Sequence, residues 1–231
     1  MREGSMHCVL PGLYRIPLGL VNAYLIEDES GVTLIDCGDV ADAPRVLQAL
    51  TTRGHRITDV KCVLTHLHYD HAGSAAQLQQ YGMGAALMHP LDGIDAAHGV
   101  LMRRPFALSW PLSLWQHTFD TRPLTTGNAI NVDASAYHDQ FLSPHLRVLH
   151  TPGHTAGHIA LLWHRHGGVL IAGDAFLNFC GLRKSIGHEH NDRAAESRRA
   201  LSRLTYAHLV VGHGNPIIGH ADQRVRRAFM H

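Results

Sequence analysis

Four times in this chain a short apolar run leads into a residue able to bind a metal ion. "VKCVLT" leads into His66, "LRVLHTPG" into His154, "GVLIAG" into Asp174 and "HLVVG" into His213. The runs are strand-like, being short, rich in Val, Leu and Ile, and bounded by turn residues. Strands of a sheet place their ends along one edge, so residues just past parallel-running ends converge there. Gly153, Gly173 and Gly212 each stand immediately before a candidate ligand, where a sharp turn or a close backbone approach is expected. This repetition restricts the chain to folds that gather strand ends around one site.

The first of these ends carries the densest chemistry. "THLHYDHAG", residues 65–73, places His66, His68, Asp70 and His71 at positions i, i+2, i+4 and i+5. On a regular helix those side chains would not face one point. On a tight loop between a strand and a helix they divide between two neighbouring cations. Imidazole and carboxylate together suit zinc, manganese or ferrous iron, whereas magnesium and calcium favour an all-oxygen set. The seven candidate ligands, His66, His68, Asp70, His71, His154, Asp174 and His213, suffice for two metals sharing one carboxylate. The chain has 21 histidines, and isolated ones such as His55, His98, His117, His166 and His190 read as solvated or incidental. His150 and His158 flank His154, and His158 in "GHTAGH" reads as a support for the loop or a core residue.

The remaining pattern predicts one domain over residues 1–231. "VNAYLIED" and "VTLIDCGD" flank a turn and predict an antiparallel pair of strands. A helix is expected over "APRVLQALTTRG", a strand over "ITDVKCVLTH", a helix over "SAAQLQQYG" and a strand over "AALMH". From residue 146 the strand rhythm resumes through "LRVLH", "IALLWHR" and "GVLIAGD", followed by a helix across "AAESRRALSRL" and the strand "AHLVVG". Both halves thus share the order strands then helix. Residues 90–145 are less regular and apolar, with Phe106, Trp110, Trp115 and Phe119, and predict an irregular helical insertion overlying the site.

Charge narrows the partners. Lys and Arg number 20 against 19 Asp and Glu, so the net charge of +1 gives no electrostatic reason to expect nucleic acid or an anionic membrane. No apolar stretch approaches a membrane span, and the N-terminus shows no secretory apolar region. A soluble cytoplasmic protein acting on a small molecule is expected. The four cysteines form no CxxC pair, and Cys37 and Cys62 are expected as buried thiols.

In their order, "THLHYDHAG", "TPGHTAGH", "AGD" and "GHG", with "NAYLIED" and "VTLIDCGD" before them, resemble the metallo-β-lactamase-fold hydrolase superfamily over essentially the whole chain. The resemblance implies an α/β fold, an αββα sandwich with the metals on one edge. It places His66, His68 and His154 on a first metal, Asp70, His71 and His213 on a second, and Asp174 between them. The implied cofactors are two divalent cations, zinc foremost, with iron or manganese as alternatives. Asp36, in "LIDCGD", matches the superfamily's buried aspartate that supports the ligand loop, and a plain turn aspartate is the competing reading.

The bridging-type Asp174 is similar to glyoxalase II, lactonase-like and phosphodiesterase-like members, and unlike zinc β-lactamases. The chain ends 18 residues after His213, so the C-terminal helical domain of glyoxalase II is not expected. "NFCGLRK" loosely echoes that enzyme's Gly-Cys-Gly-Arg stretch and offers Arg183 and Lys184 for a substrate anion. The implied reaction is attack of a metal-bridging hydroxide on the carbonyl of an ester, thioester or lactone. Asp70 would accept the proton, and Tyr69 would either contact substrate or simply pack. The alternatives are a mononuclear non-haem iron persulfide dioxygenase-like enzyme, a phosphodiesterase- or nuclease-type relative, and a non-catalytic metal-binding protein.

Overall fold

The computed structural model describes residues 6–101 and 129–230. Strands β1 (His7–Leu10), β2 (Leu13–Leu18), β3 (Val21–Asp28), β4 (Gly31–Ile35), β5 (Val60–Val63), β6 (Ala86–Leu87) and β7 (Val132–Asp133) form a seven-stranded sheet in chain order. From β1 to β4 neighbours are antiparallel, because short turns join them. From β4 to β7 they are parallel, and longer crossovers intervene. Those crossovers contain helices α1 (Ala43–Thr52), α2 (Tyr69–Ala72), α3 (Ala75–Gln80) and α4 (Pro90–Ala97).

A second sheet runs in the order β14 (His208–Val210), β11 (Val169–Ile171), β10 (Ile159–Trp163), β9 (Leu146–His150) and β8 (Phe141–Ser143). Its helices are α5 (Asn191–Ser202) and α6 (Ala221–Phe229). A small third sheet joins β13 (Leu182–Lys184), β12 (Phe176–Asn178) and β15 (His213–Gly214).

Side-chain alternation along the strands builds the layers. Leu13, Tyr24, Ile26, Ile35 and Val63 of the first sheet meet Val148, Leu161, Trp163, Val169, Ile171 and Val210 of the second in one buried cluster. The opposite face of the first sheet, with Leu25, Leu34 and Cys62, packs on Val46, Leu50 and Leu78 from α1 and α3. The opposite face of the second, with Leu162, Leu170 and Leu209, packs on Leu201 and Val225 from α5 and α6. The result is an αββα sandwich. Because each sheet is covered on both faces, its central strands are apolar at consecutive positions, as in β10, where every residue is buried.

Two features differ from the sequence-based expectation. The strand ends that lead to candidate ligands belong to both sheets, β5 to the first and β9, β11 and β14 to the second, so the site lies on an edge shared by two sheets. The ends of segment 90–145 are regular rather than irregular. Pro90 opens α4 at a position where its missing N–H costs nothing, His89 Nδ1 accepts the Leu91 amide at 3.3 Å, and β7 pairs parallel with β6. Phe106, Trp110, Trp115, His117 and Phe119 lie outside the described residues. All four cysteines are free, with Cys37 and Cys62 buried. Among the described residues no helix is long and apolar enough to cross a membrane.

Candidate metal centre

Just past β4, Asp36 adopts a left-handed backbone (φ 59°), a conformation that Asp tolerates better than most residues. This turn points its carboxylate back under the loop after β5. Oδ1 accepts the Thr65 amide at 2.7 Å, and Oδ2 accepts the Thr65 hydroxyl at 2.8 Å. Oδ2 also lies 2.8 Å from His71 Nδ1, and Thr65 Oγ1 lies 2.9 Å from His66 Nδ1. One buried carboxylate thus fixes both ends of the His66–His71 loop. Tying the outer nitrogens of His66 and His71 leaves each Nε2 facing inward.

Three of the candidate ligands meet on one side: His66, His68 and His154 bring donor atoms within 4.8 Å of one another. His66 Nε2 and His68 Nδ1 are 3.1 Å apart. On the other side Asp70, His71 and His213 do the same, with His213 Nε2 3.3 Å from both Asp70 Oδ2 and His71 Nε2. Asp174 stands between the two groups. Its Oδ1 lies 3.4 Å from His71 Nε2, and its Oδ2 lies 3.4 Å from both His154 Nε2 and His213 Nε2. Gly212 makes this approach possible, since a Cβ there would strike Asp174 Oδ1 and come within 2.6 Å of His71 Cε1.

His158 supports Asp174 from behind. Its Nε2 accepts the Asp174 amide at 3.0 Å, which places its ring proton on Nδ1, 2.8 Å from Thr151 Oγ1. Burial pushes this imidazole down to about 3, in keeping with a neutral acceptor. His213 is held from the β2–β3 turn, where the Leu20 carbonyl accepts from its Nδ1 at 2.9 Å. Asn22, which the sequence reading passed over, fixes the residues around it. Its amide group donates to the Val211 and Gly214 carbonyls at 3.1 and 2.8 Å, and its backbone N–H donates to Gly212. The available signal was a polar residue inside the apolar run "VNAYLI".

The donor set fits divalent metal. Both ring nitrogens of His154 and Asp174 Oδ1 are buried without a hydrogen-bond partner, a costly state that a cation would relieve at His154 Nε2, the nitrogen facing Asp174, and at Asp174 itself. Burial, reinforced by neighbouring imidazoles, pushes His66 and His154 well below the usual histidine range, so they present neutral nitrogen. Burial opposes charge on His71 and His213, but Asp174 and Asp70 outweigh it. His71 is driven well above its ordinary value and His213 up to about 10. Burial likewise favours the neutral forms of Asp174 and Asp70, and the same imidazoles overcome it, holding both carboxyls low. These shifts favour protonation within the second group, with which a cation there would compete.

The substrate candidates are placed less centrally. Tyr69 is half-buried and packs against the core cluster beneath α1 and α3. Arg183 and Lys184 are exposed on β13, and among the described residues no hydrogen bond or ion pair joins either to the cluster. Phe179, exposed, lies with its ring 6.3 Å from that of His213 and forms an apolar rim that the sequence did not single out.

The family model of the Metallo-beta-lactamase superfamily matches residues 16–213, ending on the last candidate ligand, and the chain belongs to this family. It is 30% identical over 224 residues to the uncharacterized protein YobT of Bacillus subtilis, covering 90% of this chain and 88% of the relative. It is 32% identical over 182 residues to the hydroxyacylglutathione hydrolase of Aeromonas hydrophila, covering 78% of this chain and 54% of that enzyme. The chain therefore spans about half the length of such hydrolases. Among solved structures, a metallo-beta-lactamase family protein of Thermus thermophilus superposes with a TM-score of 0.67 at 27% identity, covering 95% of this chain and 79% of that one. The protein is thus a member of a metallo-hydrolase superfamily, with glyoxalase II-like relatives and a His/Asp cluster of metal-binding character.

Proposed function

We propose that this protein is a hydrolase holding two divalent cations, zinc foremost, that cleaves an ester, thioester or lactone bond of a small molecule. The observation that carries it is the position of Asp174, whose carboxylate lies 3.4 Å from His154 of one donor group and from His71 and His213 of the other. His66, His68 and His154 would hold one cation, Asp70, His71 and His213 the other, and Asp174 would touch both. Bound there, such ions supply Lewis acidity and acidify a water to a pKa of roughly 7.

The chain's own groups do the rest. Asp36, His158, Leu20 and Asn22 hold the ligands in place, so little rearrangement accompanies reaction. Asp70 is the most open of the seven, with its side chain 29% exposed. In this reading Asp70 would take the proton of the attacking water and pass it to the departing oxygen or sulfur. Phe179 and Leu20, both exposed beside His213, favour a substrate with an apolar part. A near-neutral charge balance supports a small-molecule substrate over nucleic acid. The preformed Asp70–His71–His213 group favours this reading over a one-iron dioxygenase, which leaves a second group unused.

The test is a panel of esters, thioesters and lactones offered to metal-loaded protein, with oxygen uptake followed in parallel. Turnover of at least one class, lost by at least about 100-fold in Asp174→Ala, is expected. A fully loaded, folded protein that hydrolyses none of the three, or that consumes oxygen with one iron bound, overturns the proposal.

A further inference from the structure

Asp92 lies on α4, outside every group so far assigned a role, yet its side chain is fully buried. Its Oδ2 accepts the amide of Leu67, the residue between His66 and His68, at 3.2 Å. The same oxygen accepts the hydroxyl of Thr155, next to His154, at 2.5 Å, and Oδ1 accepts the Gly157 amide at 2.8 Å. One carboxylate therefore joins the two loops that carry His66, His68 and His154, across 25, 63 and 65 residues of chain. Gly157 is shaped to this contact, because a Cβ there would sit 2.6 Å from Asp92 Cγ. The helix that presents Asp92 is fixed in turn by Pro90 and the His89 cap.

We infer that Asp92 is a positioning residue that sets the spacing of the His66–His68–His154 group by tying its two loops together. The inference rests on the metal reading above. Its selectivity follows from the geometry. The Asp70–His71–His213 group is held by Asp36, Leu20 and Asn22, whereas the Asp92 bonds to Leu67, Thr155 and Gly157 all fall on the other group's loops. The three partners of the carboxylate among the described residues are donors, and two are backbone amides that cannot reverse their role. An asparagine would set its own NH₂ against one of them. Asp92→Asn keeps the shape and breaks the clamp.

Cobalt(II) titration of metal-free protein tests this, read by calorimetry and by the visible absorption of bound cobalt. His154→Ala and His213→Ala identify which binding event belongs to which group. In Asp92→Asn the event abolished by His154→Ala should weaken by about 10- to 100-fold, while the other stays within about threefold. Thr155→Val removes one donor, keeps the carboxylate, and should weaken the same event by less. Unchanged affinity at both events, or equal loss at both, overturns the inference. Should Asp92→Asn not fold, Thr155→Val decides: selective weakening supports the clamp, and no change overturns it. A wild type that takes up no cobalt contradicts the metal reading itself, and is distinguishable because that result appears before any variant is compared.

Discussion

Asp36, Asn22 and Gly212 show how single residues at this site act through backbone as much as through chemistry. Asn22 satisfies two carbonyls on either side of His213 while Arg15 Nε donates to its Oδ1 at 2.6 Å. Asn22→Ala removes the side-chain donor to the Gly214 carbonyl, while the Tyr24 hydroxyl still donates to Val211, and should cost about 1–3 kcal/mol, measured by urea denaturation. Gly212→Ala should give a chain that folds with unaltered circular dichroism but carries less metal, because the added methyl occupies the space of Asp174 and His71. Wild-type metal content in that variant would refute the crowding. The seven candidate ligands that the structure gathers were legible in the sequence because their residue types and spacing are unusual. Asn22 and Asp92 were not, since each acts on residues far along the chain, and nothing in "VNAYLI" or "HPLDGID" announces a distant partner.

Elements were legible where they were long. The helices α1 and α5 and strands β3, β9 and β10 lie where apolar spacing and turn residues put them. Two-residue strands such as β6 and β7 leave no periodicity to read, and their pairing comes from the neighbours already in the sheet. The layer order predicts a ranking of stability effects. Leu161, fully buried between the two sheets, should cost about 2–5 kcal/mol when cut to Ala. Arg226 on α6 donates to the carbonyls of Ser202 and Leu204 at the end of α5, but its side chain is 39% exposed. Arg226→Ala should cost only about 1 kcal/mol. A reversed order in denaturant midpoints would contradict the placement of the main core between the sheets.

For the molecule as a whole, the buried histidines predict how metal-free protein responds to pH. Burial pushes His158 down to about 3, and His89 and His188 to about 4, from an ordinary value of 6.5. The unfolded chain binds those protons more readily, so their contribution is complete above 6.5 and is lost as pH falls towards 3. His213, raised to about 10 chiefly by Asp174 against the opposing effect of burial, acts in the opposite sense. Its contribution is complete below 6.5 and is lost as pH rises through 10. Metal-free protein should therefore show a Tm maximum near pH 6.5. Metal-loaded protein should lose the decline between pH 6.5 and 9, because a ligated His213 no longer titrates, whereas the buried Cys37 and Cys62 thiols, pushed up from 9.0, still weaken the fold above that. A decline between pH 6.5 and 9 that persists after loading would contradict the assignment of His213.

Two donor groups meet at Asp174, and metal content per chain tests whether each holds an ion. Purified protein, loaded with zinc and freed of excess, should carry two ions per chain by elemental analysis, falling to one in His213→Ala. A wild type that retains no more than one ion per chain at saturating zinc would contradict it.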